Sequence, residues 1–348
     1  MVKTLTSWRT LLLLVVVIYH CDQQWLMEPT KAAVSIFFIS SGFLLSMRHP
    51  VERFSWSGWK RFVLHSASKL YPLQWLGLAI LLLFQWIFIV PKVDASLLAH
   101  VALVQSWIPV REIFFGYNGH AWFLASLLFC YLCYPLLNYL AHRTRLWQQC
   151  LFMAVVTVVF AVSLPHTTGA QREFLYVFPL IRVWDFVLGI VLHGLYRACG
   201  KTDFSPSRLL ATVIEVVVLL LFLELILINK KTDYITPYED FLTWWLPMGA
   251  VVFSTAMLHG REGYLGRALM CRPLQWLGQL GFELYVFQGI AALVFNYLVA
   301  PVFGHFGIIV YGDYVWGVLP ILIPLAWVVN RCFSRPVGRW LSSRFPNT

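Results

Sequence analysis

Residues 9–20 read Arg-Thr-Leu-Leu-Leu-Leu-Val-Val-Val-Ile-Tyr-His. Eight of the ten residues between the arginine and the histidine are aliphatic, so a helix here has no water-facing stripe. A run this short could be the core of a signal peptide. However, His20, Cys21 and Asp22 stand where a small-x-small cleavage site would follow, so the stretch is expected to remain as a helix of the mature chain.

The remainder of the chain has the same character. Of 348 residues, 59% are hydrophobic and 12% charged, with a mean hydropathy of +0.71. Soluble domains carry about 25% charged residues. Half that fraction cannot clothe a water-facing surface, and the apolar content is too high for disorder. The expected class is therefore an all-α polytopic membrane protein whose 16 Trp and 15 Tyr supply interfacial belts.

A bilayer crossing takes about 20 mostly apolar residues. About ten transmembrane helices are predicted, at 9–27, 32–47, 72–90, 120–141, 146–164, 174–196, 209–228, 241–258, 274–298 and 308–330. The apolar stretch 94–109 is short and is expected to be interfacial or re-entrant. With the N-terminus inside, 18 of the 26 Lys and Arg fall in inner loops and 6 in outer ones, while Arg9 and Arg182 lie within spans. That bias predicts both termini on the cytoplasmic side. Between the first two pairs of spans, residues 53–71 place Trp56, Trp59, Val63, Ala67 and Leu70 on one stripe and Lys60, Arg61 and Ser68 off it. This predicts an amphipathic helix on the inner surface. No repeat or appended soluble domain is visible, so residues 1–348 are expected to form one membrane domain. The seven cysteines are scattered; Cys130-x-x-Cys133 lies in an apolar run and reads as packing. No metal cluster or nucleic-acid partner is indicated.

Ionisable groups in hydrocarbon need a reason to be there. Arg9 and His20 are eleven residues apart, which returns a helix to within about 20° of its starting face and separates them by roughly 16–17 Å. One face thus carries a permanent cation near the inner end and an imidazole in the outer half. A guanidinium suits phosphate or carbonyl oxygens, and a buried neutral imidazole suits a general base. A snorkelling arginine and a backbone-bonded histidine fit the spacing as well. Ser40-Ser41-Gly42 permits close approach by either a helix or a ligand. Arg182 and Asp185, three apart, suit an ion pair. His120 and Trp122 open the fourth span on the outer side. Glu215 and Glu224, nine apart, point to opposite faces and cannot form one site.

Several of these stretches, in this order, resemble the membrane-bound acyltransferase family 3, bacterial enzymes that modify cell-surface glycans. The resemblance rests on Arg9…His20, on Phe37-Phe38-Ile39-Ser40-Ser41-Gly42-Phe43, and on Lys69-Leu70-Tyr71-Pro72. It rests also on His120-Ala121-Trp122-Phe123-Leu124 and on Arg182-Val183-Trp184-Asp185-Phe186-Val187-Leu188-Gly189. Two positions depart from the family pattern. Lys69 replaces an arginine, and Gly281-Phe282-Glu283-Leu284-Tyr285-Val286-Phe287-Gln288 ends in glutamine where the family often has histidine.

The resemblance implies transfer of an acyl group, most often acetyl, from cytoplasmic acyl-CoA to a hydroxyl of an extracytoplasmic surface glycan such as lipopolysaccharide, or of its lipid-linked precursor. It implies residence in the bacterial inner membrane, with acyl-CoA as a co-substrate and no permanently bound cofactor. His20 is the expected base, with Arg9 guiding the donor from further along the helix and His120 orienting the imidazole or the sugar. Ser41, Gly42, Phe43, Arg48, Lys60, Arg61, Lys69 and Tyr71 are the expected donor contacts. Asp22, Trp122, Arg182, Asp185 and Glu283 are expected to be acceptor or structural groups. A transporter or flippase for a lipid-linked glycan or organic anion is the alternative from another class, and a catalytically silent sensor is a third.

Overall fold

The protein is described by a computed structural model covering residues 2–21, 24–90, 93–200, 204–231, 238, 240, 242–305 and 315–344. Among these residues every regular element is helical. The order is α1 (Lys3–Tyr19), α2 (Met27–Arg48), α3 (Trp56–Phe88), α4 (Ser96–Val101), α5 (Arg111–Phe114), α6 (Trp122–Arg143), α7 (Leu146–Ser163), α8 (Gly169–Val177) and α9 (Pro179–Cys199). It continues with α10 (Arg208–Lys231), α11 (Leu242–Met257), α12 (Tyr264–Leu269), α13 (Arg272–Gly278), α14 (Gly281–Val294), α15 (Ala300–His305), α16 (Val315–Val329) and α17 (Arg335–Arg344). Short 3-10 turns precede α2, α5 and α6, and π-helical turns join α14 to α15 and α16 to α17.

Eight helical stretches are long and apolar enough to cross a bilayer: Met27–Arg48, Trp56–Phe88, Gly119–Arg143, Leu146–His166, Pro179–Cys199, Arg208–Ile228, Gly281–His305 and Val315–Leu341. The shorter α1 and α11 complete the expected apolar set. The chain is an all-α, multi-pass membrane protein.

Three boundaries differ from expectation, each for a physical reason. The first helix covers residues 3–19 rather than 9–27, and its 17 residues make about 25 Å, short of the roughly 30 Å hydrocarbon core. The expected 174–196 span divides at Phe178, because Pro179 lacks an N–H and starts α9. The expected break at Pro72 does not occur. Residues 56–88 form one 33-residue helix, capped where Ser55 Oγ accepts the Gly58 N–H at 3.1 Å, with Pro72 inside it. At about 50 Å this helix outruns the hydrocarbon unless it tilts. Trp56, expected on the apolar stripe of a membrane-surface helix, is 74% exposed. Residues 308–314 of the last expected span lie outside the described residues.

The chain divides into two units. The first comprises residues 1–12, 27–54 and 133–278, and the second 13–26, 55–132 and 279–348.

In the first unit α2 is the central helix and packs against α9 and α11. The α2–α9 crossing is a backbone contact. A Cβ on Gly42 would fall on the Phe186 carbonyl oxygen, and one on Gly189 would fall on the Ile39 carbonyl oxygen. Two missing side chains, one per helix, set the interaxial distance, as small residues do where helices associate in lipid. Asn138 ties α6 to this pair: its Nδ2 donates to Ser46 Oγ at 3.0 Å, and its Oδ1 accepts the Val51 N–H at 2.8 Å. Around them α7 and α10 leave apolar faces uncovered, including Leu151, Val155, Val158 and Val162 on α7.

In the second unit α14 packs on α16 and α3. The segment 96–121 runs back beside α3 rather than across the membrane. Tyr71 Oη donates to the Ala102 carbonyl at 2.8 Å, Trp75 Nε1 to that of Val101 at 3.0 Å, and Gln74 Nε2 to that of His100 at 3.4 Å. Gln74 lies fourteen residues, about 20 Å, before the end of α3. The chain has therefore doubled back by that distance, in the stretch 94–109 that was expected to be interfacial or re-entrant.

The glycine crossing makes a test. Gly42→Ala and Gly189→Ala should each destabilise the purified protein in detergent by about 1–3 kcal/mol, the usual cost of overpacking. Gly169→Ala, where a Cβ meets nothing within 4 Å, should leave the thermal midpoint in place. Equal midpoints for all three variants would refute a backbone-contact crossing.

Candidate active site

The second unit brings together residues from three distant parts of the sequence. His20 follows α1 directly, and its N–H still bonds the Val16 carbonyl at 3.2 Å, so the helical path extends to it. The residue as a whole is exposed, while its Nδ1 lies in a partly buried contact 3.2 Å from Gln288 Oε1 on α14. The His120 ring meets it edge-on, with centroids 4.1 Å apart and planes at 80°. Tyr19 flanks the other side at 5.1 Å, also edge-on.

α14 builds this site by its periodicity. Tyr285, Gln288 and Gly289 recur at three- and four-residue steps and so share a face. Tyr285 Oη donates to the His120 carbonyl at 2.9 Å, and Gln288 Nε2 donates to the Tyr285 carbonyl at 3.0 Å. The His120 ring packs on Gly289: a Cβ there would stand in ordinary contact, 3.4 Å from His120 Cε1 and 3.5 Å from its Nδ1. Asn118, two residues before the histidine, donates from Nδ2 to the Val286 carbonyl at 3.0 Å. His120 Nδ1 is itself buried with no hydrogen-bond partner among the described residues.

His120 lies at the start of the Gly119–Arg143 stretch, at a helix end as expected, and its ring packs against Gly289 of α14. The segment that doubles back beside α3 leads to it. That segment is anchored by His100, whose Nε2–H donates to the Ile113 carbonyl at 2.8 Å. Burial pushes the His100 pKa down, against the opposing pulls of that bond and of Asp94.

In the first unit, Arg9 is half-buried on α1 with its guanidinium 6.0 Å from the Phe37 ring centroid on α2, in cation–π range. Arg182 and Asp185, both within 1% of complete burial, form a closed network. Arg182 Nη1 donates to Asp185 Oδ2 at 3.1 Å, Nη2 to the Asp240 carbonyl at 3.1 Å, and Nε to the Tyr176 carbonyl, while the guanidinium stacks 4.3 Å over the Tyr176 ring. Asp185 Oδ1 accepts the Trp245 indole N–H, and Lys31 pairs with the Asp240 carboxylate at 3.0 Å. This network locks α9 to the segment entering α11.

Residues 2–331 match the family described as an acyltransferase domain, Acyl_transf_3. The chain belongs to the acyltransferase 3 family. Over 202 residues it is 30% identical to the protein named Acyltransferase MdmB of Streptomyces mycarofaciens, the alignment covering 51% of each. The chain thus spans about half the length of that curated relative. No solved structure matches the chain.

Within this acyltransferase 3 chain, several residues expected at the donor do other work. Gly42 gives its open face to Phe186 of α9, and Ser41 Oγ donates to the Phe37 carbonyl of its own helix at 2.6 Å. Phe43 is fully buried, with its ring edge-on to His193 and Tyr196. The three are packing residues, because a small-residue step that admits another helix cannot also admit a ligand on the same face. Tyr71 is held by Ala102, as above. Lys60, Arg61 and Lys69 are exposed, as is Arg48 at the end of α2. On a continuous α3, however, Lys60 and Lys69 are nine residues and so about 180° apart. They cannot grip one phosphate together.

The expected acceptor group is also revised. Glu283 accepts from Asn330 Nδ2 at 2.9 Å and points away from the histidines. Trp122 is buried, and its carbonyl accepts the Ser106 hydroxyl at 3.2 Å. Asp22 lies outside the described residues. Glu215 accepts the N–H groups of Gly263 and Gly266 at 2.9 and 3.0 Å, a structural cap for α12. In the sequence Gln288 stood out only as a departure from the family's histidine, and Tyr285 and Gly289 were given no role. Their signal was a lone glutamine in an apolar helix with a tyrosine and a glycine on the same face.

The Arg182 network makes its own prediction. Breaking one side of a buried ion pair costs about 3–5 kcal/mol, because the surviving charge loses its partner. Arg182→Met should therefore lower the thermal midpoint strongly, and adding Asp185→Asn should recover part of the loss. Additive losses in that double-mutant cycle would exclude the coupling.

Proposed function

We propose that the chain transfers an acyl group, acetyl in the simplest case, from cytoplasmic acyl-CoA to a hydroxyl of an extracytoplasmic glycan or its lipid-linked precursor. The observation that carries this reading is the placement of His20. The residue is exposed at the end of a helix too short to cross the hydrocarbon, and its imidazole is held at Nδ1 by Gln288 while His120 packs against it.

The chemistry asks little of the protein beyond placement and proton transfer. His20 takes the proton of the acceptor hydroxyl as its oxygen attacks the thioester carbonyl. The tetrahedral intermediate then collapses, breaking the carbon–sulfur bond. The CoA thiolate recovers the proton from the imidazolium, so ester and free thiol leave a histidine in its starting state. Arg9 guides the donor, as a fixed guanidinium suits phosphate and carbonyl oxygens. The exposed Lys60, Arg61 and Lys69 raise the local concentration of a polyanion as a diffuse field, not as a single clamp. The N-terminus is cytoplasmic in this reading, and the membrane is the bacterial inner membrane.

Proteoliposomes supplied with labelled acetyl-CoA and envelope glycan test the proposal. His20→Ala should reduce transfer by about 10²-fold or more, the usual worth of a positioned base. Arg9→Lys should raise the donor KM with a smaller effect on kcat. Transfer at the wild-type rate by His20→Ala would overturn the base assignment, and an absence of labelled product with wild-type protein would overturn acetyl transfer itself.

A further inference from the structure

We infer that Gln288 is a positioning residue that holds His20 in the Nδ1–H tautomer, leaving the Nε2 lone pair as the base. The inference deepens the reading of His20 given above and rests on it for its catalytic consequence. The structural part stands on the hydrogen bonds alone.

The orientation of the Gln288 amide is decided at its other end. Gln288 Nε2 lies 3.0 Å from the Tyr285 carbonyl oxygen, and a carbonyl can only accept. The group nearest Tyr285 must therefore be the NH2. Rotating the amide would set two oxygens against each other at 3.0 Å. With the NH2 committed, Oε1 is what faces His20 Nδ1, at 3.2 Å. An amide oxygen also only accepts, so Nδ1 must carry the hydrogen. In a neutral imidazole the other nitrogen, Nε2, then holds the lone pair.

Gln288 cannot easily yield to the opposite tautomer. It is 2% exposed on α14, and both its amide ends have partners. A proton on Nε2 would point the Nδ1 lone pair at Oε1 and forfeit the bond. That biases the tautomer population by about 10-fold or more. The other titratable groups touching the ring among the described residues are His120 and Tyr19, each edge-on, with Tyr285 against the far side of His120. Neither of the first two is in hydrogen-bond contact with Nδ1, so the choice of tautomer falls to Gln288. In this chain the glutamine thus does for the imidazole what a hydrogen-bonding partner does for any catalytic histidine: it fixes which nitrogen is free.

The experiment is 15N solid-state NMR of full-length protein in bilayers, with 15N-labelled histidine and His20→Asn to assign the resonance. The expected result is the Nδ1–H tautomer in wild type and a mixture in Gln288→Met, which keeps the length but has no acceptor oxygen. An Nε2–H tautomer in wild type, or an unchanged spectrum in Gln288→Met, would overturn the inference. This measurement needs no turnover, so it stands even if His20→Ala retains activity and the base assignment falls. The kinetic arm adds a second readout. Gln288→Met should lower kcat by about 10- to 100-fold with donor KM within about twofold, less than the full worth of the base. Gln288→Glu keeps an acceptor and should recover part of kcat. Its carboxylate favours the imidazolium, so the acid limb of its kcat profile should move to higher pH. Equal losses in the two variants, with no movement of the acid limb, would reduce Gln288 to a packing residue.

Discussion

Hydrocarbon offers a polar side chain no partner, so each one must find its partners within the protein or line a path to water. The described residues meet this constraint in two ways. Arg182 meets it by saturation. Its guanidinium reaches a carboxylate and two carbonyls and rests on an aromatic face, while the carboxylate is completed by an indole. Nothing in that set is left to react. The histidines meet it incompletely. His20 is exposed as a residue and has one nitrogen on Gln288, and His120 keeps a buried Nδ1 with no partner among the described residues. An unfinished set of hydrogen bonds is costly in a membrane, and a site that receives a substrate is one reason for it to persist.

Helix length puts the unfinished set where it is. α1 stops after 17 residues, before a bilayer would be crossed, and its end delivers His20. α3 does the opposite. It continues through Pro72 to 33 residues, and the chain beyond it doubles back along its side. Proline costs a helix one hydrogen bond and some steric strain, and neighbouring groups can absorb that in a membrane bundle. One short helix and one returning segment thus bring two imidazoles together, with α14 supplying the surface on which they rest. The His120 ring packs against that surface at Gly289.

What the sequence made legible follows from what is periodic or compositional. The membrane class and the apolar helices follow from residue type and the 100° step. The Arg182–Asp185 pair was legible for the same reason. Pro72 misled, because proline's cost is known locally while its tolerance depends on neighbours. Lys60, Arg61 and Lys69 were grouped by charge alone, although the nine-residue step puts the first and last on opposite sides of the helix. Ser41 and Gly42 were ambiguous in principle, since a small-residue step serves a helix or a ligand equally, and only Gly189 facing it from α9 decides. Gln288 was hidden because its meaning lies in a partner 268 residues away in the chain.

The same reasoning bears on why a membrane enzyme of this kind would place its base at the end of a short helix and not in a loop. On the proposed reading the donor is a polyanion on one side and the acceptor a polar sugar on the other, and carrying either across hydrocarbon would be costly. Only the acyl group need change sides, and it is small and uncharged if it is acetyl. A base at membrane depth lets each substrate extend its reactive end from its own compartment while its charged or polyhydroxylated body stays in water. That division works only if the imidazole is a fixed object, since two reaching substrates cannot also search for it. Effective molarity is lost steeply when reacting atoms are misplaced by about 1 Å. A rigid helix end, an edge-on neighbouring ring and a buried amide bound at both ends are the means by which this chain holds the ring still.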